Sequence, residues 1–274
     1  MEKYSVLMSV YKNDDASFLN EAIRSMVEQT VKPDQYVIVK DGPVSKEIDT
    51  VISEWEKKEP GLFTVLAFEV NQGLAAALNA GIKVCRNELI ARMDSDDIAL
   101  PERCQKELEM FELHENLSIC GCNIDEFFDA PANVRTSRVV PSDYEAICKF
   151  MKRRQPFNHP TVMYRKSMLE EVGGYATLHR KEDFDLFSRC INSGYYALNI
   201  NESLYLYRAN EGNYQRRKSA VNFKSALHVY KLHYDRKGCS LIDLAIISCA
   251  ELVFYILPTG IMKWLSDTIL REKK

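Results

Sequence analysis

Over the first hundred residues, short apolar runs alternate strictly with segments of helical period, and this alternation restricts the fold more than any other feature. Tyr4 to Tyr11 (YSVLMSVY) is almost continuously apolar, as in strands covered on both faces of a parallel sheet. Phe18 to Glu28 instead places Phe18, Leu19, Ala22, Ile23 and Met26 at helical spacing. Tyr36 to Val39, Phe63 to Phe68 and Glu88 to Met93 continue the strand series, with helical patterns at Glu47 to Lys57 and Leu74 to Cys85 between them. Such repetition predicts an α/β fold, a mostly parallel twisted sheet flanked by helices and joined by right-handed crossovers.

After Pro101 the pattern loosens. Glu102 to His114 reads as a helix and Ser118 to Phe128 as a strand, whereas Ala130 to Pro141 is polar and irregular. Helical segments follow at Asp143 to Lys152, Lys166 to Val172 and Glu182 to Ser193. With 274 residues, 46% of them hydrophobic, the chain can fill a full core. A formal net charge of -3 offers no electrostatic basis for binding nucleic acid. The eight cysteines form no CxxC pair, which predicts reduced, mostly buried thiols and neither a disulfide framework nor a zinc site. The sequence starts on a strand-like segment without a basic and apolar leader, so a cytoplasmic location is expected.

Met93-Asp94-Ser95-Asp96-Asp97, at the end of a strand, is the strongest local signal. Carboxylates so close repel one another unless a cation compensates. Hard oxygen ligands at the carboxyl end of a strand suit Mg²⁺ or Mn²⁺ shared with a diphosphate, and ligands of open α/β sheets bind at that edge. The competing reading is a solvated loop in which Asp97 or a neighbour caps the next helix. Asp41-Gly42 follows another strand at the same edge; its carboxylate can accept hydrogen bonds from a base or ribose, or the pair is a plain turn. Asn71 is expected to cap the helix rich in Ala75, Ala76, Ala77 and Ala80, whose small residues allow close packing under the sheet.

Taken in order, SVLMSVYKND, VIVKDG, NQGLAAALNAGI, ARMDSDD, and GGY followed by KEDFDLFSR resemble the family 2 glycosyltransferases of the GT-A fold. The resemblance runs from about Tyr4 to Arg208, some three quarters of the chain. It implies transfer of a sugar, with inversion, from a nucleotide donor, UDP-linked, to a saccharide acceptor such as a lipid-linked polysaccharide or O-antigen repeat unit at the inner face of a membrane. Residues 1–100 would then form the nucleotide-sugar half and residues 101–239 the acceptor half of one catalytic domain, with 240–274 a C-terminal helical segment. The resemblance places Val10 and Tyr11 at the nucleobase, Asp41 at uracil, and Arg92 near the donor. Asp94, followed by Ser95, falls near ribose and diphosphate, Asp96 is the usual metal ligand and Asp97 a further candidate for Mn²⁺ or Mg²⁺. Glu182-Asp183 matches the family's ED motif, with Asp183 as general base. Inverting transfer does need one carboxylate to deprotonate the attacking hydroxyl, while a metal stabilises the leaving diphosphate. Without the resemblance, Glu182, Asp183 and Asp185 read as acids offsetting a helix dipole.

Other positions stay open. His159 is either near the acceptor or structural, and Gly173-Gly174-Tyr175 reads as a turn shaping the acceptor pocket. Tyr207-Arg208 and Gln215-Arg216-Arg217 either close over the phosphates or lie in a solvated surface. No QxxRW motif, the family's mark of processive synthases, is present, which favours transfer of a single sugar. Leu241 to Leu257 is apolar but carries Asp243 and Glu251, and acids at the centre of a span oppose insertion. It reads as a helix lying in a membrane interface with Lys263, Trp264, Arg271, Lys273 and Lys274, or as one packed on the core or on a second subunit. Two rival enzymes fit less well. A sugar-nucleotide pyrophosphorylase would carry a glycine-rich phosphate loop where this chain has Tyr11-Lys12-Asn13-Asp14, and a dehydrogenase would carry GxGxxG. A non-catalytic carbohydrate-binding descendant would be expected to lose Asp94, Asp96 and Asp183.

Overall fold

Strand β1 (Tyr4–Val10) lies inside the sheet and is covered on both faces: Tyr4, Val6, Met8 and Val10 enter one core cluster and Leu7, between Ser5 and Ser9, the other. In this computed structural model, residues 1–178, 180–209, 219–257, 260 and 272–273 are described. β2 (Gln35–Lys40) and β4 (Leu89–Met93) flank β1 in parallel, and β3 (Phe63–Ala67) pairs in parallel beyond β2. On the other side the sheet turns mixed. β8 (Met163–Arg165) runs antiparallel to β4, then come β6 (Leu117–Phe127), β7 (Val134–Arg138) and β10 (Glu272–Lys273). β9 (Tyr196–Arg208) pairs in parallel with β6 and antiparallel with the short β5 (Ile98–Ala99).

Helices α1 (Ala16–Val27), α2 (Lys46–Lys58) and α4 (Arg103–Leu113) bury Leu19, Ile52 and Leu108 against the first cluster. On the opposite face lie α3 (Leu74–Val84), α5 (Tyr144–Met151), α6 (Lys166–Glu171) and α7 (Glu182–Asn192). α8 (Ala220–Asp235) and α9 (Leu241–Ile256) join the same side through Val229 and Ile247. The small side chains of α3 do allow the close approach the sequence implies: a Cβ at Gly81 would collide with Leu7 of β1.

Two expectations and one competing reading need correction. The segment read as irregular, Ala130 to Pro141, contains β7, a polar strand held to β6 by Thr136 Oγ1 donating to Glu126 (2.8 Å) and Ser137 Oγ donating to Asp125 (2.7 Å). Asn71 does not cap α3; the N-cap position is Gly73, and the side chain of Asn71 turns to Asp41 instead. Nor does Asp97 cap the helix after Pro101, since the N-cap position of α4 is Glu102 and makes no side-chain cap bond.

Candidate active site

β1, β2 and β4 are parallel, so Val10, Asp41 and Asp94 emerge at one edge of the sheet. There Asp94, Asp96 and Asp97 bring ligating oxygens within 4.8 Å of one another. The turn that carries them is held from a distance. The Asp94 N–H donates to Tyr205 Oη (3.3 Å), the Arg208 N–H to Asp97 Oδ1 (2.7 Å), and Arg208 Nε to the Asp96 carbonyl (2.8 Å). Arg208 also stacks over Phe18 at 3.8 Å and pairs with Glu21, so its guanidinium braces the acid cluster from behind. Ser95 Oγ donates to Asp14 Oδ2 (2.8 Å), which also accepts the Tyr11 N–H (3.1 Å).

These carboxylates are under electrostatic pressure. Burial, then the Asp94 charge, pushes Asp96 up to about 6; Asp14, mainly through burial, also rises to about 6; and Asp97 rises well above its ordinary value for the same reason. One buried oxygen of Asp97, Oδ2, has no hydrogen-bond partner. A hard divalent cation among these oxygens would relieve both the repulsion and the orphaned atom, so the residues fit Mn²⁺ or Mg²⁺. Arg92 is the cation already present. Burial disfavours its charge, but the ion pair with Asp94 overrides this and holds the guanidinium ionised; Nε and Nη1 remain without partners.

Val10 is fully buried at the end of β1 and Tyr11 stands half-open at the rim. Asp41 accepts from Asn71 Nδ2 (2.8 Å) and from the backbone N–H groups of Gln72 (2.7 Å) and Gly73 (3.0 Å). It thereby ties the loop before α3 to the end of β2. Gly42 has φ +88°, and a Cβ there would lie 2.7 Å from the Asn71 nitrogen, so glycine is required where the two loops meet.

The second group of acids begins α7. Lys181, in the left-handed conformation at φ 65°, is its N-cap residue, and Glu182, Asp183 and Asp185 fill the first turn. Asp183 Oδ1 accepts the Phe184 N–H (2.8 Å) and Oδ2 accepts from Gln155 Nε2 (3.1 Å). Burial, then the Asp183 charge, pushes Glu182 up to about 7. Asp185 is fully buried between Arg189 Nε (2.9 Å) and Arg236 Nη1 (2.6 Å), which makes it structural. The charge of Arg92 favours the ionised form of both Asp96 and Glu182, so both acid groups, far apart in sequence, lie within its electrostatic reach. His159 Nε2 lies 2.8 Å from Tyr175 Oη; burial, then Arg92, lowers its pKa well below the ordinary value and leaves it neutral at pH 7. Tyr175 is held to α3 by Asn79, which accepts its N–H and donates to its carbonyl (both 2.8 Å). Asp14, Tyr205 and Gln155 were not singled out from sequence. Gln215, Arg216 and Arg217 lie outside the described residues.

No helix among the described residues is long and apolar enough to cross a membrane. Both acids of α9 turn toward the protein: Asp243 caps the helix with Ser240 and pairs with Arg153 (2.5 Å), and Glu251 pairs with Lys181 (2.9 Å) and accepts from Tyr230 Oη (2.8 Å). None of its exposed residues is charged, and Leu241, Ile242, Ile246, Val253 and Ile256 stand open. Lys263, Trp264, Arg271 and Lys274 lie outside the described residues, as does the side chain of Lys273.

The sequence model of glycosyl transferase family 2 matches residues 5–173. An Escherichia coli UDP-Gal:alpha-D-GlcNAc-diphosphoundecaprenol beta-1,3-galactosyltransferase is 33% identical over 278 residues, covering 98% of this chain and 97% of its own. The amylovoran biosynthesis glycosyltransferase AmsE of Erwinia amylovora is 31% identical over 264 residues, covering 96% and 98%. Among solved structures, the mannosyltransferase PcManGT of Pyrobaculum calidifontis, in complex with GDP-Man and Mn²⁺, superposes with a TM-score of 0.68 at 16% identity, over 97% of this chain and 75% of that one.

Proposed function

The chain belongs to glycosyl transferase family 2 and has the GT-A fold, and from that premise we propose that it moves a single sugar from a UDP-sugar, with inversion, to a saccharide carried on a lipid diphosphate. What supports the reading is the strand-end cluster of Asp94, Asp96 and Asp97, suited to a metal diphosphate, together with a helix-start carboxylate suited to a base, both groups within the electrostatic reach of Arg92. Asp183 accepts the proton of the acceptor hydroxyl as its oxygen bonds to the anomeric carbon; the bond from that carbon to the β-phosphate oxygen breaks, and UDP leaves with the electron pair. Gln155 orients the carboxylate for this step, and Glu182 shapes the field beside it. Mn²⁺ or Mg²⁺, held by Asp96 with Asp94 and Asp97, would neutralise charge on the leaving diphosphate. Val10 and Tyr11 line the nucleobase side, with Asp41 fixing that edge for uracil, while Ser95 and Arg208 keep the Asp94–Asp97 turn in place for the donor.

The lipid-linked acceptor rests on the name of the Escherichia coli relative and on α9, whose uncharged outer face suits a peripheral seat on the inner face of a membrane. A pyrophosphorylase is disfavoured because a base beside the acid cluster has no use in that chemistry. A non-catalytic descendant would not need to keep buried, mutually repelling carboxylates. The test is a donor screen with Mn²⁺: UDP-sugars should be hydrolysed slowly, and faster with a lipid-linked disaccharide acceptor. Preference for GDP- or dTDP-sugars would change the donor; no turnover of any donor would end the enzymatic reading.

A further inference from the structure

α9 touches the protein through two charged contacts, and each lands beside a residue of the base. Glu251 pairs with Lys181 at 2.9 Å, and Lys181 stands two residues before Asp183. Asp243 pairs with Arg153 at 2.5 Å, and Arg153 stands two residues before Gln155, the side chain that donates to Asp183 Oδ2. We infer that α9 positions the catalytic base: Glu251 through Lys181, and Asp243 through Arg153, hold the two segments between which Asp183 is fixed. The inference rests on the reading of Asp183 as base.

The local geometry gives the Glu251 contact its weight. Lys181 has φ 65°, a region that residues with a Cβ rarely occupy, and its carbonyl accepts the Asp185 N–H at 3.0 Å, the bond that opens α7. The surroundings must therefore hold this residue in place for Glu182 and Asp183 to begin the helix where they do. What holds its side chain is α9 together with α8: Tyr230 Oη lies 3.4 Å from Lys181 Nζ and donates to the same Glu251 oxygen at 2.8 Å. A helix that served only to cover apolar surface would not need both of its acids turned inward, and Ile247 is its one fully packed apolar residue. Glu251 and Asp243 touch no reacting atom, so they are positioning residues.

The experiment uses the full chain and the UDP-sugar hydrolysed fastest among UDP-glucose, UDP-galactose and UDP-N-acetylglucosamine. Glu251→Gln should lower turnover about 10-fold while UDP affinity in Mn²⁺ stays within about 2-fold, since only the base is displaced. The exchange Lys181→Glu with Glu251→Lys should recover most of that turnover, whereas Lys181→Glu alone should not. Wild-type turnover in Glu251→Gln overturns the inference. So does a parallel fall in turnover, UDP affinity and melting temperature that the exchange does not rescue, because that is general loosening. Asp183→Asn separates the two readings. If it is inactive while Glu251→Gln is normal, only the positioning role fails; if it keeps its turnover, the base assignment fails and this inference with it.

Discussion

At the scale of the residue, the decisive fact is that Asp97 lies fully buried beside Asp94 and Asp96 with one oxygen unpartnered. Arg92 pairs with Asp94 and the Arg208 N–H donates to Asp97, yet burial still pushes Asp96 and Asp97 up, so the arrangement is suited to an added cation. Asp96→Ala should therefore weaken UDP binding severely in Mn²⁺ and remove its sensitivity to EDTA; calorimetry giving equal UDP affinity with metal and with EDTA in the wild type would reject the metal role. Asp183→Asn should cut transfer by about 10²–10⁴-fold with UDP affinity unchanged. Glu182 makes a separate prediction. Its carboxyl is raised on folding to about 7, so it contributes stability that is complete below its ordinary 4.5 and is lost as the pH climbs through 7. Melting curves of the metal-free wild type should thus shift downward from pH 6 to pH 8, and Glu182→Gln should lose part of that slope; an identical slope would mean that Asp14, Asp96 and Asp97 carry all of it. The strand-end acids stand out in the sequence because their clustering is itself anomalous, whereas Glu182 and Asp183 are marked only by the family resemblance. Tyr205 and Gln155 carry no such mark, since they act only through neighbours brought from other elements.

At the scale of the element, the first half of the chain was readable because its strands are buried on both faces and its helices keep an apolar stripe, so each shows a clean period. β9 was not, since Asn201, Glu202 and Ser203 interrupt it at the point where its register with β6 shifts. β7 was hidden for a different reason: its buried contacts are hydroxyl–carboxylate hydrogen bonds, which leave no apolar alternation. The loop at the end of β2 offers a test of how far such local geometry reaches into function. Gly42→Ala puts a Cβ 2.7 Å from the Asn71 nitrogen at φ +88°, a strain of about 1–3 kcal/mol. Displacing that loop should loosen the Asp41 contacts and weaken UDP binding while leaving the chain folded; unchanged affinity would separate the β2 edge from the nucleobase.

At the scale of the whole molecule, the two halves share one sheet through the β4–β8 and β8–β6 pairings, so they form one body with the site across its edge. α9 presents uncharged residues outward from that body. The full chain should co-sediment with anionic vesicles, and Ile242→Glu with Ile246→Glu should abolish this without changing UDP-sugar hydrolysis. Failure to co-sediment, together with a dimer in light scattering, would make the face a subunit contact. The bracing of the acid turn by Tyr205 and Arg208 has one more consequence. Both bonds to Asp94 and Asp97 span 111 residues, so a chain emerging from the ribosome exposes its carboxylate cluster long before the strand that secures it has been made. Closing so long a loop comes late in folding. A nascent protein of this design can hold a nearly finished donor edge and still be inert until its final third is translated.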